Sequence, residues 1–374
     1  MMDSLPRPAV DEFFAGLDDF PIEFAFFYER LPAAQALAEG LERTLPAFPL
    51  LRAGHRVSLD DVPGGGVPSG DKASLAGLFD SAERGSRRPR CQLKISRFGE
   101  GGSLGASMSH VLGDGVSLVG FLSAWARNVR GGGVPGAPAV SECPPPPPGT
   151  LDLSRPLEEE LARAGFRLGR LPRFCLREDF TWDVLRLPRE EVEALLRQAR
   201  ASQPQVTVGD VLAAHLFRHY HPVPVAGAPE PSLGVVFDFR RIPGLLPASY
   251  FGNAGLPLLV PLAPGEATAL PLPELAARVR ARLQSASAAD FHLCHALLEE
   301  VRRTRGQEGL NRVAFSAEDH GLVVNNISRF DLSQLDFGTG APHAFEVLTP
   351  VPRVCFVVTR GDTLEAHTSL PKDT

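Results

Sequence analysis

Apolar positions along this chain change their period several times, and each change marks an element. Over Cys91–Phe98 and over residues 103–109 apolar and polar side chains alternate around Gly99-Glu100-Gly101-Gly102. That pattern predicts two strands joined by a glycine-rich hairpin loop. Val116, Leu118, Val119, Phe121, Leu122, Trp125, Ala126 and Val129 then recur at helical spacing, with Asp114 or Gly115 placed to cap the helix and Gly131 to Gly133 to end it. Earlier, the pattern predicts a strand over 23–28 and a helix over 32–45. Later come a strand over 179–187, a helix over 189–201, another opening at Thr207, a strand over 232–239, and helices over 274–288 and 292–303. The end is strand-rich, with 321–325 and then 354–359 and 363–369 as a hairpin turned at Gly361-Asp362. Strands mixed with helices in both halves predict an α/β protein without short internal repeats.

Length and composition narrow the class. The chain has 374 residues, 44% of them hydrophobic and 22% charged, enough for a large core in two domains or one bilobal unit. A formal net charge of −6 gives no electrostatic footprint for nucleic acid, and the arginine-rich spots at Arg84 to Arg90 and Arg302 to Arg305 read as solvated faces. The five cysteines, Cys91, Cys143, Cys175, Cys294 and Cys355, are odd in number and lack C-x-x-C spacing, which argues against a disulfide framework and a zinc site. No apolar run approaches 18 residues, and the first 20 carry acids where a signal peptide would be basic and apolar. The expectation is a cytoplasmic protein without a membrane span or a metal. The prolines 144–148 form the one low-complexity stretch, extended and semi-rigid, and mark a boundary in the chain.

Two short motifs carry the chemistry. His110-Val111-Leu112-Gly113-Asp114-Gly115 spells H-x-x-x-D-G at the strand-to-helix corner, and Asp336-Phe337-Gly338-Thr339-Gly340 spells D-F-G-x-G near the end. A neutral imidazole titrates near pH 6.5, so His110 suits a general base. No G-x-S-x-G elbow suggests an acyl-enzyme, and no P-loop suggests phosphate chemistry. His215 and His219 stand at i, i+4 without H-E-x-x-H and read as ordinary helix residues. Asp114, at a helix start beyond a glycine turn, reads as a cap or the partner of a cation rather than as the residue orienting His110.

In this order, the two motifs resemble the BAHD acyltransferases, which move an acyl group from coenzyme A to an alcohol or amine. Thr207 to Arg218 is similar to the family's T-x-x-x-L-x-A-x-x-W/F-R helix, Asp238-Phe239-Arg240 to its N/D-x-R, and Tyr250-Phe251-Gly252-Asn253 to its Y-F-G-N. Leu17-Asp18 and residues 23–28 look like its opening turn and first strand. The resemblance spans about 17–370. It implies two chloramphenicol-acetyltransferase-like lobes with mixed sheets flanked by helices and a channel between them, an N-terminal lobe (1–143) and a C-terminal lobe (176–374) joined by a Pro-rich crossover linker (144–175), with acyl-CoA as co-substrate, a small-molecule acceptor, and a monomer. It implies His110 as general base, Arg240 as the cation paired with Asp114, and Gly115, Asp336, Gly338 and Gly340 as structural residues of the site. Its oxyanion threonine falls on Asn325, whose amide can donate in the same sense.

The family's Trp inside D-F-G-W-G is Thr339 here, and its T-S-W is Asn325-Asn326-Ile327. Two rival readings follow: a condensation-type or wax-ester-type transferase using a carrier-protein donor, and a degenerate binding scaffold. The first usually has a second His before the motif, where this chain has Ser109. The second is opposed by the retention of His110, Asp114 and Arg240. Abundant phenylalanine and the apolar run at residues 256–262 offer a phenylalanine-rich core or the lining for a medium or long acyl chain or a hydrophobic alcohol.

Overall fold

The computed structural model describes residues 7–14, 21–52, 57–62, 72–79, 91–133, 142–152, 154–169, 180–220, 230–349 and 351–372. Leu17-Asp18, Arg84 to Arg90 and Cys175 lie outside them. In chain order the strands are β1 (Pro21–Tyr28), β2 (Val57–Val62), β3 (Cys91–Phe98), β4 (Gly101–Ser109), β5 (Phe166–Leu168), β6 (Phe180–Pro188), β7 (Ser232–Asp238), β8 (Gly255–Leu259), β9 (Val313–Phe315), β10 (Gly321–Asn326), β11 (Ala344–Val347), β12 (Val354–Arg360) and β13 (Thr363–Pro371). The chain divides into two units that are not contiguous in sequence. The first takes Met1–Pro144, Leu246–Ala254 and Phe330–Thr349, and the second takes Pro145–Leu245, Gly255–Arg329 and Pro350–Thr374. Asp336 to Gly340 therefore belongs to the first unit together with β11, while β12 and β13 belong to the second.

The first unit is built on a mixed sheet of order β11-β1-β4-β3-β2. β2 runs parallel to β3, and the other pairs are antiparallel. β4 (G-G-S-L-G-A-S-M-S) is buried at every position after its first, which small side chains permit because both faces of the strand are covered. The Gly115–Val129 helix buries Leu118, Phe121, Leu122 and Trp125, the apolar stripe that its 3.6-residue period predicted. It lies against the Ala34–Thr44 helix, where Trp125 Nε1 donates to the Leu37 carbonyl (2.9 Å) and Asn128 Nδ2 to Thr44 Oγ1 (2.8 Å). Those two bonds satisfy polar groups that burial would otherwise penalise.

The second unit holds a six-stranded mixed sheet of order β6-β13-β12-β10-β7-β8. β10 runs parallel to both β7 and β12. Leu212, Leu216, Phe217, Leu275 and Val279, from the Val208–Tyr220 and Leu272–Gln284 helices, form one core with Leu322, Val324 and Val357 of the sheet. One expectation changes here. The helix predicted over 274–288 stops at Gln284, because Ser287 and Asp290 form a capping box that starts a new helix, Ala288–Leu310. The apolar run at 256–262 begins within β8, whose Leu256 and Leu258 are buried.

Candidate active site

His110 follows the last residue of β4, and Leu112 N returns to the Ser109 carbonyl (3.0 Å) to close the turn. Asp114 caps the next helix: its Oδ1 accepts from Ser117 N (2.9 Å). Its Oδ2 accepts from Ala254 N, also at 2.9 Å. The carboxylate is thus committed to backbone amides at a helix N-terminus, where negative charge is favoured. Gly115 is the first helical residue, and a Cβ there would lie 3.1 Å from the Phe24 ring, so the glycine permits close packing at the corner.

The segment Gly252 to Ala254, which includes the end of Y-F-G-N, braces this corner. Asp114 N donates to the Gly252 carbonyl (3.3 Å), and Ser117 Oγ both donates to that carbonyl (3.0 Å) and accepts from Gly252 N (3.1 Å). A side chain at Gly252 would strike the Tyr250 phenol at 2.6 Å, so the approach requires glycine. Asn253, fully buried, donates from Nδ2 to the His110 carbonyl (2.8 Å). The two ends of the H-x-x-x-D-G turn are therefore held by one distant segment.

Sequence patterns gave no sign of a third component, the turn at Ala9–Glu12 and the residues flanking it. Asp11 Oδ1 accepts from both Asn253 N and Asn253 Nδ2, each at 2.9 Å. Arg7 Nη1 donates to the Val111 carbonyl (3.0 Å). The Phe14 ring stacks on the His110 imidazole, with centroids 3.8 Å apart and planes 15° apart. Burial pushes the Asp11 carboxyl up to about 6, against its Asn253 hydrogen bonds and the Arg7 charge, while Asp114 adds a small push in the same direction. Four residues are too few for a periodic signal, and Asp11 meets a partner 242 positions away.

The D-F-G-T-G loop is a structural support. Asp336 Oδ1 accepts from Gly338 N (2.7 Å) and Gly340 N (2.9 Å), and both glycines have φ above +100°, a region that L side chains rarely adopt. Burial opposes the Asp336 charge, but the amides of Gly338 and Gly340 and the nearby Arg130 outweigh it, so the carboxyl lies below its usual range. Phe337 is buried edge-on against Trp125 (4.8 Å) and Tyr28 (6.0 Å). Thr339, where the family has Trp, donates to the Arg30 carbonyl (2.9 Å).

The remaining predicted residues lie in the second unit. Arg240 sits in the short turn after β7, with its side chain nearly buried and Nη1 3.0 Å from Asp238 Oδ1. Asn325 is half-buried on β10, and the adjacent Asn326 Oδ1 accepts from Ser328 N (3.1 Å) and Oγ (2.6 Å). Among the described residues, no three His, Cys, Asp or Glu side chains stand together as metal ligands. Burial pulls His215 below its usual range.

No family model matches the chain. Among curated proteins, the hydroxycinnamoyl-CoA:5-hydroxyanthranilate N-hydroxycinnamoyltransferase HHT4 of Avena sativa is 27% identical over 265 residues, covering 68% of this chain and 58% of its own length. Hydroxycinnamoyltransferase 2 of Oryza sativa subsp. japonica is 26% identical over 345 residues, covering 82% of this chain and 75% of its own. The chain thus matches less than two thirds of the oat enzyme's length. Among solved structures, F. graminearum TRI101 complexed with coenzyme A and T-2 mycotoxin superposes with a TM-score of 0.72 at 13% identity, covering 98% of this chain and 95% of that one. Vinorine synthase superposes with a TM-score of 0.66 at 18% identity, covering 99% and 91%. The fold is that of the chloramphenicol-acetyltransferase-like acyltransferases. Both of these curated relatives are named as hydroxycinnamoyltransferases.

Proposed function

We infer that this protein transfers an acyl group from an acyl-CoA thioester to the hydroxyl or amine of a small organic acceptor, in one ternary complex and with His110 as general base. The observation that carries this reading is the division of labour at the corner. Each carboxylate oxygen of Asp114 accepts a backbone amide, and Asn253 fixes the His110 backbone, which supports the imidazole as the group that takes the proton. In the reaction, His110 takes the acceptor's proton as its oxygen or nitrogen attacks the thioester carbonyl. The tetrahedral oxyanion then collapses, the C–S bond breaks, and the imidazolium returns the proton to the departing thiolate. The resemblance, not a measured distance, assigns oxyanion donation to Asn325 and pairing with Asp114 to Arg240.

The relatives' names support a bulky donor: both curated enzymes are named for hydroxycinnamoyl transfer, and the superposed TRI101 holds coenzyme A. The working unit in this reading is one chain, because His110, Asp114, Asn253 and Asp11 all come from one unit. A cytosolic setting fits the buried thiols of Cys91, Cys294 and Cys355, which burial pushes up to about 12 and keeps protonated. The test is to incubate the purified protein with acetyl-, medium-chain and aromatic acyl-CoAs and a panel of alcohols and amines, following free thiol and product mass. Acceptor-dependent thiol release is expected. Its absence with every donor, together with transfer from an acyl-loaded carrier protein, would instead favour the condensation-type reading.

A further inference from the structure

The residues around the first helical turn converge on the base. Arg7 reaches the Val111 carbonyl, Asp11 takes two hydrogen bonds from Asn253, and Asn253 also holds the His110 carbonyl. These bonds seat Phe14, itself buried, flat against the His110 ring. We propose that Phe14 is a positioning residue for His110, fixing the plane of the imidazole and stabilising the positive charge it gains on taking the acceptor's proton. This rests on the acyl-transfer reading above. The physical basis has two parts. The terminal torsion of a histidine is broad and ill-defined on its own, and a ring stacked at 3.8 Å restricts it because rotation would drive the imidazole into the phenyl face. That face also carries the negative lobe of the ring quadrupole, which attracts the imidazolium but does little for the neutral base. The interaction therefore grows as the proton moves, the condition for accelerating the chemical step. Asp11 acts one step further out, as the clamp that seats the turn.

Phe14→Leu keeps the apolar volume and removes the π face. Its kcat is expected to fall about tenfold, the equivalent of about 1.4 kcal/mol, with KM for acyl-CoA within about twofold of wild type. The acid limb of its kcat/KM–pH profile is expected to move to lower pH, because the imidazolium loses its support. Phe14→Tyr restores the face and is expected to recover both. A purely packing role for Phe14 would lower thermal stability without moving the pH limb. A second measurement needs no turnover: the His110 ring protons, identified by their loss in His110→Gln, should resonate upfield in the wild-type protein from the Phe14 ring current and move downfield in Phe14→Leu. Wild-type kcat with an unmoved acid limb in Phe14→Leu overturns the proposal. If the wild-type protein transfers no acyl group at all, the functional reading falls instead. The ring protons then decide the hold of Phe14 on His110, and unshifted signals in the wild type overturn it.

Discussion

Asp114 and His110 stand four residues apart, and the proposed reaction gives them different work. Asp114 accepts one amide inside its own helix and one from Ala254, across 140 positions of sequence. Asp114→Ala forfeits the helix cap and leaves the Ala254 amide without its acceptor, for a combined loss of about 2–4 kcal/mol. Urea unfolding should show that loss as a lower midpoint at an unchanged slope. His110→Ala is expected to abolish acyl transfer with little change in thermal midpoint, because in the proposed reaction the imidazole acts on the acceptor's proton while its backbone carbonyl still receives Asn253. Near wild-type turnover in that variant would remove His110 from the mechanism. The cap was readable from an acidic residue set before an apolar helical period. The Ala254 partner was not, since nothing local to either residue encodes it.

At the scale of elements, the β12–β13 hairpin gathers two exposed arginines and a histidine around the buried Glu365 on the sheet of the second unit. Glu365 of β13 contacts His367 Nε2 (3.1 Å), Arg360 Nε (2.9 Å) and, across the β6 pairing, Arg186 Nε (3.1 Å). The His367 hydrogen bond, opposed by burial and helped by Arg360, holds the Glu365 carboxyl down at about 2. A folded-state value below the unfolded one means that the unfolded chain takes up the proton first as pH falls. The stabilisation is complete above about pH 4.5 and is lost as pH drops toward 2. Unfolding measured at pH 7, 4.5, 3 and 2 should therefore steepen for the wild type below pH 4.5, and Glu365→Gln should flatten that part of the profile. The hairpin itself was legible from alternation and from Gly361-Asp362. β2 (V-S-L-D-D-V) and β11 (A-F-E-V) were not, because two adjacent acids interrupt one and four residues are too short to establish a period in the other.

For the whole molecule, the relevant quantity is donor preference. Competition between acetyl-CoA and an aromatic acyl-CoA, such as a hydroxycinnamoyl thioester, is expected to favour the aromatic donor in kcat/KM by at least about tenfold, since each additional buried CH2-sized group contributes about 0.8 kcal/mol. Equal rates with the two donors would reject a bulky-donor enzyme while leaving acyl transfer intact. The molecule's organisation bears on how a site is assembled at all. The first unit recruits Leu246–Ala254 and Phe330–Thr349 from the far side of the chain. These segments supply Gly252 to Ala254 behind the histidine corner and Phe337 beneath the helix that Asp114 starts.

The sequence by itself determined the α/β class, the β3–β4 hairpin, the helix beginning at Asp114 and the identity of the candidate base, because each is written in residues close enough for one period or one cap to reveal it. Tertiary structure alone decided that Asn253 holds the His110 backbone, that Phe14 lies on its imidazole, and that the D-F-G-T-G loop belongs to the first unit although β10 before it belongs to the second. Contacts such as Asp11 with Asn253 join residues 242 positions apart. A hydrogen bond or a ring stack of that reach leaves no periodicity in either partner's neighbourhood, so it exists only once the intervening chain has folded and excluded water around it.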